Sequence, residues 1–184
     1  MRTLDPRAPF VLDTRELGRR PGTQREKSYD AEAPVGLGID VLGVPEGSTV
    51  ELDLRLEAVM EGVLVTGTAT AGLEGECSRC LEPIEDTVSV DLQELYVYDA
   101  PERSRGDDED ADVSRLEDDL IDLEPLLRDA VVLALPYQPL CRDDCPGLCA
   151  ECGARLADDP DHRHEAPVDP RWAALQQLDT QHPH

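Results

Sequence analysis

The residues best equipped for chemistry are the cysteines, and they are clustered. Cys77 and Cys80 form one Cys-x-x-Cys pair, and Cys141, Cys145, Cys149 and Cys152 follow in a second group. Two sulfurs at this spacing converge on one ion, and a glycine just after the pair lets the backbone turn closely around it. Cys149-Ala150-Glu151-Cys152-Gly153 has that form. A disulfide framework would need an oxidising compartment, and the opening Met1-Arg2-Thr3-Leu4-Asp5-Pro6-Arg7 shows no apolar export segment. In a reducing cytoplasm, thiols grouped in this way point to a metal.

Counting ligands sharpens the expectation. His162 and His164 lie close behind the last cysteine pair, so the 6 cysteines and these two imidazoles supply two full tetrahedral sites. One site takes Cys77, Cys80, Cys141 and Cys145. The other takes Cys149, Cys152, His162 and His164, a compact Cys-x₂-Cys-x₉-His-x-His clip. The competing arrangement is a single zinc on Cys141, Cys145, Cys149 and Cys152, whose loops are the shortest to close. Either way protein donors saturate the ion, so zinc is structural and contributes on the order of 10 kcal/mol to folding. A thiol redox role for Cys77 and Cys80 is the rival. It would want the pair at a helix N-terminus in a βαβ unit, whereas here it falls between alternating strand segments.

No Gly-x-Ser-x-Gly, P-loop or dinucleotide fingerprint is present. Asp and Glu are abundant but sit in solvated runs, so no catalytic residue is nominated, and the expectation is a protein that is not an enzyme and takes no small-molecule substrate. The formal charge of −24 argues against broad, non-specific nucleic-acid binding. That charge is uneven. Residues 1–29 hold seven basic groups and four acids, a net of +3, while Glu102–Glu124 holds eleven acids and three arginines, a net of −8. The block Asp107-Asp108-Glu109-Asp110-Ala111-Asp112 reads as a solvated acidic loop, within 100–115, that keeps the chain soluble or docks a basic partner. Arg19, Arg20, Arg25 and Arg79 are the weak candidates for RNA-phosphate contact.

These groups must be positioned by a largely aliphatic framework, because aromatics are only 3% of the 184 residues. Val50, Leu52, Leu54, Leu56 and Ala58 alternate with Glu51, Asp53, Arg55 and Glu57, which predicts a strand with one wet face. Glu61-Gly62 turns the chain into Val63–Ala69, and Val88, Val90 and Leu92 begin a third strand. Phe10–Leu12 reads as a short strand, Asp13 or Thr14 as the cap of a helical turn, and 18–33 as an irregular loop. Val35–Leu42 reads as one strand, followed by a turn at Pro45-Glu46-Gly47-Ser48. Leu120, Leu123, Leu126, Leu127, Val131 and Leu135 recur at helical spacing, with Asp122 as N-cap and Pro136 as the stop. Asp169-Pro170 opens a short terminal helix with Trp172 as a core anchor. The fold class is therefore α+β: a curved antiparallel sheet or small barrel covered by a helix, with a C-terminal zinc-binding segment. Its parts are a basic segment 1–34, the sheet and helix 35–136, and the Cys/His segment 137–184. No apolar run approaches the ~20 residues needed to span a bilayer.

Taken in order, Cys77-Ser78-Arg79-Cys80-Leu81, Leu133-Ala134-Leu135-Pro136, Leu140-Cys141, Cys145-Pro146-Gly147-Leu148-Cys149-Ala150-Glu151-Cys152-Gly153 and Asp169-Pro170-Arg171-Trp172-Ala173-Ala174-Leu175 resemble the YceD-like family, the large ribosomal RNA subunit accumulation proteins. The resemblance runs from about residue 35 to 178. It implies a bacterial cytoplasmic protein that supports accumulation of large-subunit ribosomal RNA, a process and not a reaction. Many relatives carry Cys-x-Cys where this chain has His162-Arg163-His164, which keeps two ligands at the same spacing. Others lack the Cys149/Cys152 clip, which makes the metal a scaffold. The expected partner is a basic large-subunit ribosomal protein or a pre-50S particle, with limited ribosomal RNA contact. The alternatives are a zinc-containing module that binds precursor RNA directly, for which aromatic stacking groups are scarce, and the thiol redox protein.

Overall fold

Strand β5 (Thr49–Ala58) sets the pattern for the sheet: its even-numbered side chains from Val50 to Ala58 are buried, and Glu51, Asp53 and Arg55 between them are exposed. The computed structural model describes residues 4–98 and 113–164. The acidic block at 107–112 and the helix expected from Asp169, with Trp172, lie outside the described residues. The remaining strands are β1 (Val11–Asp13), β2 (Gln24–Glu32), β3 (Leu37–Ile39), β4 (Leu42–Val44), β6 (Gly62–Glu76), β7 (Pro83–Val97) and β8 (Leu120–Asp122); the helix is α1 (Glu124–Ala134). The chain divides into two units, Met1–Asp143 and Asp144–His184. All of these elements belong to the first.

The main sheet is antiparallel, with order β2-β5-β6-β4-β3 and β7 on the other side of β6. β6 pairs along its whole length with β7, from Gly62 opposite Val97 to Glu76 opposite Pro83. The sheet is open, so the expected barrel closure is not found: β2 ends one side and β7 the other. β1 and β8 form a separate two-stranded ladder. Among the described residues no helix is long and apolar enough to cross a membrane.

Three local expectations change. Residues 24–32, read as part of a loop, are edge strand β2, paired with β5 throughout. Only Ala31 of β2 is buried, so the strand has little of the apolar alternation that reveals a sheet face; Arg25 and Lys27 stand opposite Leu56 and Leu54. Inward-facing cations of this kind blunt an edge against unwanted strand pairing. Val35–Leu42 is not one strand but the start of the β3–β4 hairpin. Its arms cross at Gly38 and Gly43, where a Cβ on Gly38 would lie 2.4 Å from the Gly43 Cα. The single turn expected after Asp13 is present: the Leu17 N–H donates to the Thr14 carbonyl at 3.0 Å, and the Asp13 carboxylate accepts from the Arg15 N–H at 2.9 Å. Leu120 belongs to β8, opposite Asp13, so the helix starts later than its apolar spacing suggests. Leu123 is its N-cap, and Asp122 accepts from the Glu124 N–H at 3.0 Å.

α1 buries Leu127 and Val131 in the one aliphatic cluster that also holds Leu52, Val65 and Leu92. Arg128 ties the helix to the β3 approach by donating to the carbonyls of Val35 and Gly36, and it pairs with Glu124 at 2.9 Å. Tyr96 donates its hydroxyl to the Asp122 carbonyl at 3.1 Å, linking β7 to the helix start.

The opposite face of the sheet is wet and nearly all of one sign. Register puts Asp30 opposite Glu51, Ser28 opposite Asp53 and Glu74 opposite Glu85. Glu26, Glu32, Glu57 and Asp91 share this face by strand alternation. Arg55 is the one cation there among the described residues, and Glu57 binds it at 3.1 Å. Thr66, Thr68 and Thr70 of β6 run down the middle.

The buried and exposed sides of α1 should respond differently to truncation. Leu127→Ala is expected to cost about 2–5 kcal/mol in denaturant unfolding, while Leu133→Ala, at a position 85% exposed, should fall within about 0.5 kcal/mol of the parent.

Candidate metal centres

Cys77 and Cys80 sit in the turn that joins the two longest strands, β6 and β7. The Cys77 N–H donates to Glu82 at 2.8 Å, the Leu81 N–H returns to Cys77 at 2.9 Å, and the Ser78 N–H donates to Pro139 at 2.9 Å. The last of these bonds brings the segment after α1 onto the knuckle and carries Cys141 with it. The sulfurs of Cys77, Cys80 and Cys141 all lie within 4.8 Å of one another. Cys80 Sγ and Cys141 Sγ are 3.5 Å apart, near the ~3.8 Å edge of a tetrahedron built on 2.3 Å zinc–sulfur bonds. All of the cysteines are free thiols. Cys145 is the second residue of the second unit, and its side chain is buried.

Electrostatics favour thiolate at this knuckle. Burial pushes the Cys77 thiol up, but backbone N–H groups of Cys141, Arg79 and Cys80, with the Cys80 side chain, outweigh it and bring it down to about 6. A sulfur with that acidity is largely ionised at neutral pH, the form that binds metal. The pair is not at a helix N-terminus, the placement the redox reading required.

The second unit repeats the device on its own. Gly147 and Gly153 frame a small loop in which Leu148 bridges Arg155. The Cys149 N–H donates to Ala154 at 2.8 Å, and the Gly153 N–H to Cys149 at 2.9 Å. Gly153 has φ +73°, the left-handed turn that a glycine after the pair accommodates without strain. N–H groups of Glu151 and Cys152 lower the Cys149 thiol to about 6, against a smaller opposing effect of burial. The ligand atoms of Cys149, Cys152, His162 and His164 all lie within 4.8 Å of one another. Cys152 Sγ is 3.2 Å from His162 Nε2 and 3.3 Å from His164 Nε2, and the two Nε2 atoms are 2.8 Å apart.

The two clusters could therefore each hold a metal ion. Their donors are thiolate sulfur and imidazole nitrogen, the set that suits zinc. Cys149 and Cys152 face His162 and His164, as the two-site reading expected, and Cys141 faces Cys77 and Cys80. Two residues missed in the sequence complete the clip. Glu151 Oε2 lies 3.5 Å from His164 Nδ1, and Asp159 Oδ2 lies 3.7 Å from His162 Nδ1. Each carboxylate lies on the side of the outer ring nitrogen, the position from which an acid can orient a metal-ligating imidazole. The available signal was an acid inside the Cys-x-x-Cys pair and another three residues before His162.

The arginine candidates do not form one patch. Arg19 pairs with Asp119 at 2.9 Å and stacks over Tyr98 at 4.8 Å. Arg25 is bound to Glu16. Arg20 is exposed in the turn before β2, and Arg79 is exposed in the β6–β7 knuckle, lending its N–H to Cys77.

An open antiparallel sheet with one covering helix, a thiol knuckle between its longest strands and a separate Cys/His clip define an α+β protein with two candidate metal centres. The chain belongs to the YceD family, the large ribosomal RNA subunit accumulation proteins, whose profile matches residues 65–179. It is 46% identical over 171 residues to the uncharacterized protein Rv2926c of Mycobacterium tuberculosis, covering 93% of this chain and 82% of that one. Identity to the uncharacterized protein ML1660 of Mycobacterium leprae is 42% over 168 residues, covering 91% and 76%. The uncharacterized protein YlbN of Bacillus subtilis is 30% identical over 105 residues, covering 55% and 58%. No solved structure matches the chain.

The two knuckles differ at one position that a simple experiment can exploit. Leu81 follows Cys80 as Gly153 follows Cys152, but it holds φ +60° with a side chain and is 57% exposed. Leu81→Gly should raise stability by about 1 kcal/mol in chemical unfolding, since a left-handed conformation costs an L-residue roughly that amount. A loss of stability would show that Leu81 makes a contact worth more than the strain.

Proposed function

We propose that the protein is a non-enzymatic factor in biogenesis of the large ribosomal subunit, working in the cytoplasm by holding a basic ribosomal protein or an assembly intermediate. Family membership supports the process, and the acidic outer face of the sheet supports the kind of partner. On that face Asp30 stands directly opposite Glu51, and Glu74 opposite Glu85. Like charges placed in this way destabilise a sheet by a few tenths of a kcal/mol or more per pair. A lysine- or arginine-rich partner would relieve the repulsion on binding, and the field would speed encounter and reject acidic competitors.

Zinc takes a scaffolding role in this reading. Cys145, four residues beyond Cys141, is the proposed fourth thiolate beside Cys77, Cys80 and Cys141; Cys149, Cys152, His162 and His164 form the second site. Four protein donors leave an ion no open position for a reacting water. When bound, the metal supplies cross-linking energy, and the residues around it hold the strand turn and the loop in place. The RNA-binding alternative is less well supported, because Arg19 and Arg25 already pair with Asp119 and Glu16 and the chain has only 1 Phe, 1 Trp and 4 Tyr for stacking.

Affinity capture of the tagged full-length chain from its own cells should enrich large-subunit proteins or their precursor particles, in a salt-sensitive manner. Recovery of neither those proteins nor precursor ribosomal RNA would overturn the reading. Glu51→Lys adds a sharper check. It replaces a repulsive pair with an attractive one, so the free protein should gain about 0.5 kcal/mol while capture weakens several-fold. A variant with capture unchanged would remove the sheet face from the interaction.

A further inference from the structure

The two centres differ in what holds their ligands when the metal is taken away. At the β6–β7 knuckle, Cys77 is 0% and Cys80 4% exposed while Cys141 is exposed, and the strands on either side of the Cys77–Cys80 turn pair along their whole length. At the clip, Cys152 and His164 are exposed, with Cys149 and His162 half-buried. The hydrophobic core runs from Phe10 to Leu135 and, among the described residues, takes nothing from 147–164. Backbone bonds inside the clip are short-range: Leu156 to Gly147, Asp158 to Arg155 and His162 to Asp159. None of these spans from the Cys149–Cys152 loop to the histidines. The Cys149–Cys152 loop and the histidines meet through the side-chain donors themselves and the Glu151–His164 approach across 3.5 Å.

We propose that the clip is an exchangeable zinc site that couples metal occupancy to the order of residues 147–164, while the knuckle site keeps its metal. The inference rests on the two-site metal reading above. A segment this small, whose described residues add nothing to the apolar core, depends on a staple to stay folded, and metal-binding energy is then folding energy. Exposed donors admit a competing chelator one ligand at a time, and the Nε2 atoms can swing away because only carboxylates at 3.5 and 3.7 Å steady their rings. At the knuckle a chelator meets Cys141 as an exposed donor, but Cys77 and Cys80 are buried and held by the paired strands, so losing one ligand leaves those two in place. The consequence is a segment that is ordered in zinc-replete conditions and unfolded when free zinc falls, with the acidic sheet unaffected.

The test uses full-length protein loaded with zinc and an excess of the chromogenic chelator 4-(2-pyridylazo)resorcinol. Two equivalents should be released in separate phases, at least tenfold apart in rate. Hydrogen exchange read after the fast phase should show protection lost at 147–164 and retained in β5, β6 and β7. The double variant His162→Ala/His164→Ala should lack the fast equivalent and keep the slow one. Release of both equivalents in a single phase, or protection at 147–164 that survives the fast phase, would overturn the inference and leave the two-site reading standing. Less than one equivalent bound at the outset would overturn both.

Discussion

Backbone N–H groups aimed at a sulfur are the interaction around which this molecule is arranged. In each Cys-x-x-Cys pair the first cysteine accepts from the residues two and three further on, Arg79 and Cys80 in one case and Glu151 and Cys152 in the other. Those bonds fix the turn, lower the thiol, and leave the second sulfur pointing toward the same centre. The rest of the fold supplies what each knuckle needs. In the first unit that means two long strands to carry the turn and a helix whose exit returns Cys141. In the second it is a glycine-framed loop and two imidazoles braced by acids.

The same economy explains the composition. An aliphatic core buries one face of the sheet and one side of α1, which frees the opposite face to carry charge. Almost any polar residue would keep that face wet. It carries instead opposed carboxylates that lower stability, and the proposed role gives that cost a purpose. The acidic loop expected near residue 107 lies outside the described residues, so the case for a basic partner rests on the ordered strands alone.

How much could be read in advance depended on whether one physical signal dominated locally. β5 was legible because burial on one side and water on the other impose a period of two. β2 was not, because an edge strand with Arg25 and Lys27 on its inner side and acids on its outer side has little apolar alternation. The β3–β4 hairpin was hidden for a different reason. Its crossing is set by Gly38 and Gly43, and glycines have no side chain to show a face. At the start of α1, Leu120 and Leu123 happen to keep helical spacing, yet backbone pairing with β1 draws Leu120 into a strand. The grouping of cysteines and histidines into two clusters that could hold metal was legible from spacing alone, since Cys-x-x-Cys can do few other things in this setting. Glu151 and Asp159 were not, because acids are too common in this chain for two of them to stand out.

The account stands or falls on metal content. Elemental analysis of the full-length protein, purified without chelator from cells grown in ordinary medium, should give two zinc ions per chain. A preparation that is well folded by its circular dichroism and thermal transition, yet contains no zinc or other transition metal, would contradict it. The converging sulfurs and imidazoles would then be holding the fold together without an ion.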